Sequence, residues 1–365
     1  MEGIKLVVNA GRHDRQDCPV SVTLPKEKGS ILTDGAHVLR DEANERFPVQ
    51  ISTDKDAVVL HFTVSLKAGE QKTYVLEQGD FPSSGVSLLQ QENRIDVSID
   101  GKLFTSYVYD SNFAKPYLGP IIGTYGHRFT RLDFQVKEHP HQRSVWIAIG
   151  DVNGIDFWNE REGYGKQKQT KACCKSGPVY GAIDAINLWT DFDGNPVLEE
   201  FRTLTFYNMP SSGRYVDIES RFKASFGKVV FGPTKEAGPL GIRVAETMNV
   251  TKGGTMINSY GAKDEEECWG KRAHWCDYYG ISDGYLAGIA VYDNPENDHY
   301  PTYWHIRNYG LFAPNNFYFT GSRTLEEGES AVYRYRIYFH DGDADSACTA
   351  RRFHDYICPP KVEII

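Results

Sequence analysis

Apolar and polar residues alternate with period two along most of this chain, and each alternating run is closed by Gly, Pro, Asn or Asp. Successive side chains of a strand point to opposite faces, so this pattern predicts half-buried strands joined by tight turns. The first runs fall at residues 4–8, 20–24, 49–52, 57–66 and 72–78. After a turn-rich stretch at 79–85 the rhythm resumes at 95–99, 103–109, 129–135, 145–149, 198–207, 215–224, 285–293 and 331–340. In the last run, period two places Val332, Arg334 and Arg336 on one face and Tyr333, Tyr335 and Ile337 on the other. Only residues 344–356 carry a helical pattern. The expectation is an all-β chain, an antiparallel β-sandwich or supersandwich over residues 91–365, preceded by a small β-sandwich over 1–90.

Composition narrows the function. Aromatic residues make up 13% of the chain, a share that suits strands and offers flat faces on which sugar rings stack. A net charge of -9 argues against nucleic acid or an anionic membrane as partner. No run of about 18 apolar residues exists to span a bilayer, and no secretory leader is evident, so the expected location is the cytoplasm. The seven cysteines lack the spacing of a zinc knuckle or redox motif and read as reduced thiols. No glycine-rich nucleotide loop follows a strand, and nothing in the sequence fixes an oligomeric state.

Three segments concentrate chemistry. The densest begins Glu138-His139-Pro140-His141-Gln142-Arg143 and runs through Asp151 and Asp156 to Trp158. If the first part is extended, His139 and His141 point to one side. They can then exchange protons, or begin a divalent-metal site completed by His305, Asp151 or Glu138. The second segment, 293–310, places Tyr303, His305 and Arg307 on one face of a strand and Trp304 and Ile306 on the other. An aromatic, an imidazole and a guanidinium together suit a sugar subsite, although Trp304 is equally explained as core. The third, 231–246, is a Gly/Pro-rich loop with Glu236 at its tip and Arg243 opening the next strand. Glu236 could pair with a histidine as acid and base.

The stretches 139–146, 150–158, 235–244 and 301–310 resemble, in this order, four motifs of the bacterial methane oxygenase PmoA-like family. The chain departs from the pattern at Gln142 and Ser144, where that family has His and Gly. Gln142 keeps a donor and an acceptor but cannot titrate. The resemblance implies a role in sugar catabolism and a shape similar to the galactose mutarotase-like supersandwich.

The expected function is a carbohydrate-active enzyme, a hydrolase or lyase on a glycoside or oxidised sugar. His139, His141, His305 and Glu236 would act as acid and base. Arg143, Asp151, Asp156, Arg243, Trp304 and Arg307 would hold the substrate. No cofactor is expected, a divalent cation being the alternative. The competing readings are a non-catalytic sugar-binding partner of a sugar oxidoreductase and a sugar mutarotase.

Overall fold

The computed structural model describes residues 4–29, 32, 35–54, 57–132, 138–209, 213–236 and 238–365. The chain is an antiparallel β-sandwich protein. Two eight-stranded sheets form its main body. The first runs, in spatial order, Tyr303–Ile306, Leu311–Asn315, Leu240–Arg243, Val145–Ile147, Tyr117–Leu118, Lys102–Val108, Arg94–Ile99 and Val86–Gln90. The second runs Lys166–Lys175, Tyr180–Thr190, Pro196–Tyr207, Gly213–Lys223, Ser330–Asp341, Tyr285–Asp293, Trp275–Ser282 and Thr255–Asn258.

Alternation explains how the sheets face each other. Tyr333, Tyr335, Ile337 and Phe339 enter the core between the sheets. On the opposite face of that strand Arg334 pairs with Glu219 and Arg336 with Asp217. The first sheet sends Val145, Ile147, Leu240, Ile242, Trp304 and Ile306 into the same core. Its other face carries a separate cluster of Tyr117, Trp146, Ala148, Trp158, Leu311 and Ala313. Two differently filled faces on one sheet are what strict period two produces.

The main core also holds a polar knot. Glu200, fully buried, accepts hydrogen bonds from Trp189 Nε1 at 3.0 Å, from Ser220 Oγ at 2.8 Å and from the Arg202 guanidinium at 2.7 and 2.8 Å. Gln167 Oε1 accepts from Arg202 at 3.2 Å, and Gln167 Nε2 donates to the Ile147 carbonyl at 2.8 Å. A satisfied network of this kind fixes the position of one sheet over the other.

A smaller sandwich precedes the main body. Its five-stranded sheet has the order Lys361–Ile364, Lys5–Asn9, Gln71–Gln78, His37–Asp41 and Arg46–Pro48. It faces a three-stranded sheet of Arg15–Thr23, Ala57–Leu66 and Gln50–Asp54 around Leu6, Val8, Val20, Leu39, Leu60 and Phe62. The last strand of the chain is thus paired with the first, Val8 opposite Val362. Arg15 forms a buried ion pair with Asp355 at 3.0 Å on the helix Thr349–Ile357, and Arg352 of that helix donates to the Gln16 carbonyl.

Several elements differ from the sequence expectation. The helix starts at Thr349 because residues 342–348 form turns closed by Asp343 and Ser346. Lys166–Lys175 is a strand despite its polar sequence, since it is a sheet edge where lysines face water. Part of the expected strand 129–135 lies outside the described residues; Thr130 makes an isolated bridge to Val244. All seven cysteines are unpaired. Among the described residues no helix is long and apolar enough to cross a membrane.

Candidate functional site

Most of the chemistry picked out by sequence comes together on the outer face of the first sheet. Its floor follows from strand register. Tyr117 lies opposite Trp146, Trp146 opposite Gly241, and Ala313 opposite His305. Gly241 is required here because the Trp146 indole covers it, and a Cβ at that position would meet the ring at 2.5 Å. Glycine and alanine in the middle of the row make room for the Trp146 indole, and the whole row is buried. Adjacent strands stand about 4.8 Å apart, so the row from Tyr117 to His305 spans roughly 19 Å.

One wall is built around Arg243, which is fully buried. Its Nη1 donates to Gln142 Oε1 at 2.7 Å, its Nη2 to Glu138 Oε2 at 2.9 Å, and its guanidinium lies 4.5 Å over the Tyr309 ring. Burial and the nearby Arg131 lower the Arg243 pKa, with Glu138 and Glu246 acting in the opposite direction. Arg131 bonds Glu246 at 2.8 Å and the carbonyls of Glu138 and His139 at 3.1 and 3.0 Å, which fixes the backbone of the histidine turn.

That turn is not extended as the sequence suggested. His139 has φ +48° and its carbonyl accepts from the Gln142 N–H at 3.0 Å. The two rings still meet, with centroids 5.8 Å apart at 77°. The His139 ring is stacked on Tyr309 at 4.9 Å, and its Nδ1 is 2.8 Å from Glu138 Oε1. Ser144 and Glu160 also have positive φ, at +52° and +55°. Three non-glycine residues held in the left-handed region within one site mark a backbone shaped by its surroundings.

The neighbouring wall is ionic. Glu160 accepts two hydrogen bonds from Arg143, at 2.5 and 2.9 Å, and one from Lys115 at 2.6 Å. Lys115 also donates to the Trp158 carbonyl at 3.0 Å. Burial alone would raise the Glu160 carboxyl, but Lys115 and Arg143 prevail and hold it below its ordinary value. Asp156 accepts from the N–H groups of Trp158 and Asn159 at 2.7 and 3.0 Å, and so shapes the loop that delivers Glu160. Asp151 accepts from the Gly154 N–H at 2.9 Å in the turn before it.

The two remaining histidines are buried and neutral. His141 Nε2 has no hydrogen-bond partner, and burial followed by the Lys115 charge pushes its pKa down to about 3. Neither nitrogen of His305 closes a hydrogen bond of normal geometry. Burial, Arg307 and Lys235 bring its pKa to about 3, with the Lys235 carbonyl opposing them slightly. Trp146 Nε1 and Arg243 Nε are likewise buried without partners. Buried polar atoms are almost always satisfied, so these side chains mark a stretch of the sheet face where polar groups are closed in with few partners.

These imidazoles make stability pH-dependent with a defined sign. A histidine whose pKa is near 6.5 unfolded and about 3 folded takes up its proton first in the unfolded chain. Its stabilising effect is complete above pH 6.5 and is lost as the pH falls toward 3. Urea unfolding at pH 7 and pH 4 should show a drop of a few kcal/mol on this account. In His141→Gln with His305→Gln that drop should shrink.

Not every candidate reaches the site. Trp304 is in the core between the sheets, its Nε1 donating to the Ala273 carbonyl at 2.9 Å. Arg307 flanks His305 and donates to Glu265 at 2.7 Å. Glu236 accepts from Thr234 Oγ1 at 3.0 Å, and Lys235 Nζ is 3.5 Å from its carboxylate. Among the described residues no three His, Cys, Asp or Glu converge as a metal cage. Sequence reasoning passed over Lys115, Arg131, Glu160, Trp146 and Tyr309. The last three lie in or beside the segments it singled out, whereas Lys115 and Arg131 carry no local signal.

Residues 94–354 match the model of DUF6807, a family of unknown function. This match overturns the resemblance to the methane oxygenase PmoA-like family, to which nothing in the comparisons points. No curated protein matches. Among solved structures, an alpha-mannosidase from Enterococcus faecalis V583 is similar over 100% of this chain, with TM-score 0.50 and 10% identity. This chain spans 46% of that mannosidase's length. A GH36 alpha-galactosidase from Geobacillus stearothermophilus, in complex with 1-deoxygalactonojirimycin, matches 72% of this chain and 41% of its own, with TM-score 0.40 and 11% identity.

Proposed function

This chain belongs to the DUF6807 family, whose function is unknown, and we propose from its own side chains that the outer face of the first sheet is the active site of a carbohydrate-active enzyme, a hydrolase or lyase acting on a glycoside or an oxidised sugar. The observation that carries the reading is the accessible His139–Glu138 pair, whose side chains are 39% and 44% exposed, set against the buried Arg243 cation. A sugar offers hydroxyls to that pair and an apolar ring face to the Tyr309 ring stacked on His139. The alpha-mannosidase named above is by its name a sugar-active enzyme, which agrees with this reading.

Proton transfer falls to the His139 and Glu138 pair. With Nδ1 bonded to the carboxylate, Nε2 is the nitrogen free to take a substrate proton and return it. Glu138 is divided between His139 and Arg243, and Glu160 is held by three donors. Neither carboxylate is therefore free to serve as nucleophile or acid in a two-carboxylate glycosidase mechanism. Imidazole chemistry suits an oxidised sugar better. His139 would remove the proton alpha to the carbonyl, and the negative charge on the carbonyl oxygen would be stabilised by the field of the buried Arg243 cation. The glycosidic oxygen beta to that carbonyl would then leave with the proton returned by His139.

The test is turnover of a panel of glycosides, 3-keto-glycosides and uronides, followed by chromatography. We expect product from at least one class, and a kcat lowered about 10²–10⁴-fold in His139→Ala. No turnover, or unchanged turnover in both His139→Ala and His305→Ala, would overturn the proposal. Saturable calorimetric binding without product would put a sugar-binding protein in its place.

A further inference from the structure

Beyond His305, at the edge of the same sheet, four aromatic rings form a continuous ridge. Tyr303 shares the His305 face of its strand and lies against Phe319, ring centroids 4.6 Å apart. Tyr318 meets Phe319 edge-on at 4.8 Å, and Trp269 meets Phe319 at 5.6 Å and Tyr318 at 6.2 Å. Phe319 and Tyr318 are 40% and 42% exposed and adjoin each other, so the exposed apolar surface is contiguous. The Trp269 Nε1 is buried without a partner.

The ridge is continuous with the site on both sides of His305. Tyr303 precedes that residue on its own strand, and Arg307, two residues after it, stands 5.5 Å over Trp269. Its cations are already engaged. Arg307 Nη1 is held by Glu265, while Arg272 donates to the carbonyls of Pro301, His299 and Tyr300. A second pyranose would need side chains aimed at its hydroxyls, whereas this surface offers mainly ring faces and edges. A flat apolar group fits it better.

We infer that the Trp269, Tyr303, Tyr318 and Phe319 ridge is the subsite for the leaving part of the substrate, and that the preferred substrate is a glycoside with an aromatic aglycone. The sugar ring would lie beside His139, whose side chain is 39% exposed and whose ring stacks on Tyr309, and the aglycone on the ridge that Arg307 borders. This rests on the sugar-site reading above, so the experiment measures binding separately from turnover.

Matched phenyl and methyl pyranosides of glucose, galactose and mannose, in both anomers, would be titrated into the full chain by calorimetry and assayed for turnover alongside their 3-keto forms. For the sugar that binds, the phenyl glycoside should bind about tenfold more tightly than the methyl. Phe319→Leu and Tyr318→Ala should each remove most of that advantage while leaving methyl glycoside affinity and the melting temperature unchanged. Equal affinity for the two glycosides, or a phenyl preference that survives both substitutions, overturns the inference even if turnover is found. A disaccharide preferred over the phenyl glycoside and lost in the same variants overturns it in favour of a second sugar subsite. A phenyl preference lost in both variants, with no turnover of any compound, supports the ridge and overturns the catalytic reading alone.

Discussion

Glu160→Gln is expected to cost about 3–5 kcal/mol of folding stability, more than any other single change on the site face, because it removes the carboxylate that two buried cations share. Lys115 and Arg143 are 2% and 12% exposed at their side chains, and Glu160 is the carboxylate bonded to both. Glutamine preserves the shape and one acceptor but supplies no charge, so two largely desolvated cations remain facing each other. Urea denaturation read by tryptophan fluorescence would measure the loss. Adding Lys115→Met to Glu160→Gln should recover at least half of it, since the buried charge then leaves with its partner. A drop below about 1 kcal/mol would mean that water already solvates the triad.

The same carboxylate sets an acid limit. Its folded pKa is held below the ordinary 4.5, so its stabilisation is complete above that value and is lost as the pH falls through the folded one. That limb of the stability curve should be missing from Glu160→Gln.

Arg15→Met should be comparably damaging, by about 3–5 kcal/mol, but at the junction of the two sandwiches. Arg15 and Asp355 are 2% and 0% exposed at their side chains. The guanidinium also donates to the Ala10 carbonyl at 2.9 Å and the Cys358 carbonyl at 2.8 Å. Methionine fills the volume but leaves a buried carboxyl and two carbonyls with fewer donors. Burial raises the Asp355 pKa, so part of the cost will appear as proton uptake on that residue. Limited proteolysis should cut first within residues 4–78, and unfolding should separate into two transitions. A single transition with unchanged midpoint would show that the strand pairing of Lys361–Ile364 suffices to hold the small sandwich.

Period two made the strand faces legible. It put Trp304 and His305 on opposite faces of their strand, as it did Tyr335 and Arg334, but Trp304 was expected to hold the substrate and instead lies in the core between the sheets. The histidine turn was found from composition but drawn with the wrong backbone, because nothing local requires φ +48° at His139. Glu236 stood out as a loop carboxylate, yet what surrounds it is Thr234 and Lys235. Lys115 and Glu160 were invisible for a general reason: 45 residues separate them, and a lone lysine in a loop reads as a solvated one until the fold buries it. The strand Lys166–Lys175 was missed for the converse reason, since a polar edge strand has little apolar alternation to detect.

The pairing of the chain's first described strand with its last bears on how the protein is made. Lys5–Asn9 is translated some 350 residues before its partner Lys361–Ile364. At typical synthesis rates of about 5–20 residues per second, that interval is roughly 20–70 s. Throughout it Lys5–Asn9 is unpaired on one side and presents a row of backbone donors and acceptors, the kind of edge that recruits other nascent chains. The main body, which supplies Asp355 and the closing strand, must be nearly complete before that edge is covered. Expression yield should therefore respond to translation speed and chaperone supply more sharply than the finished protein's stability would suggest.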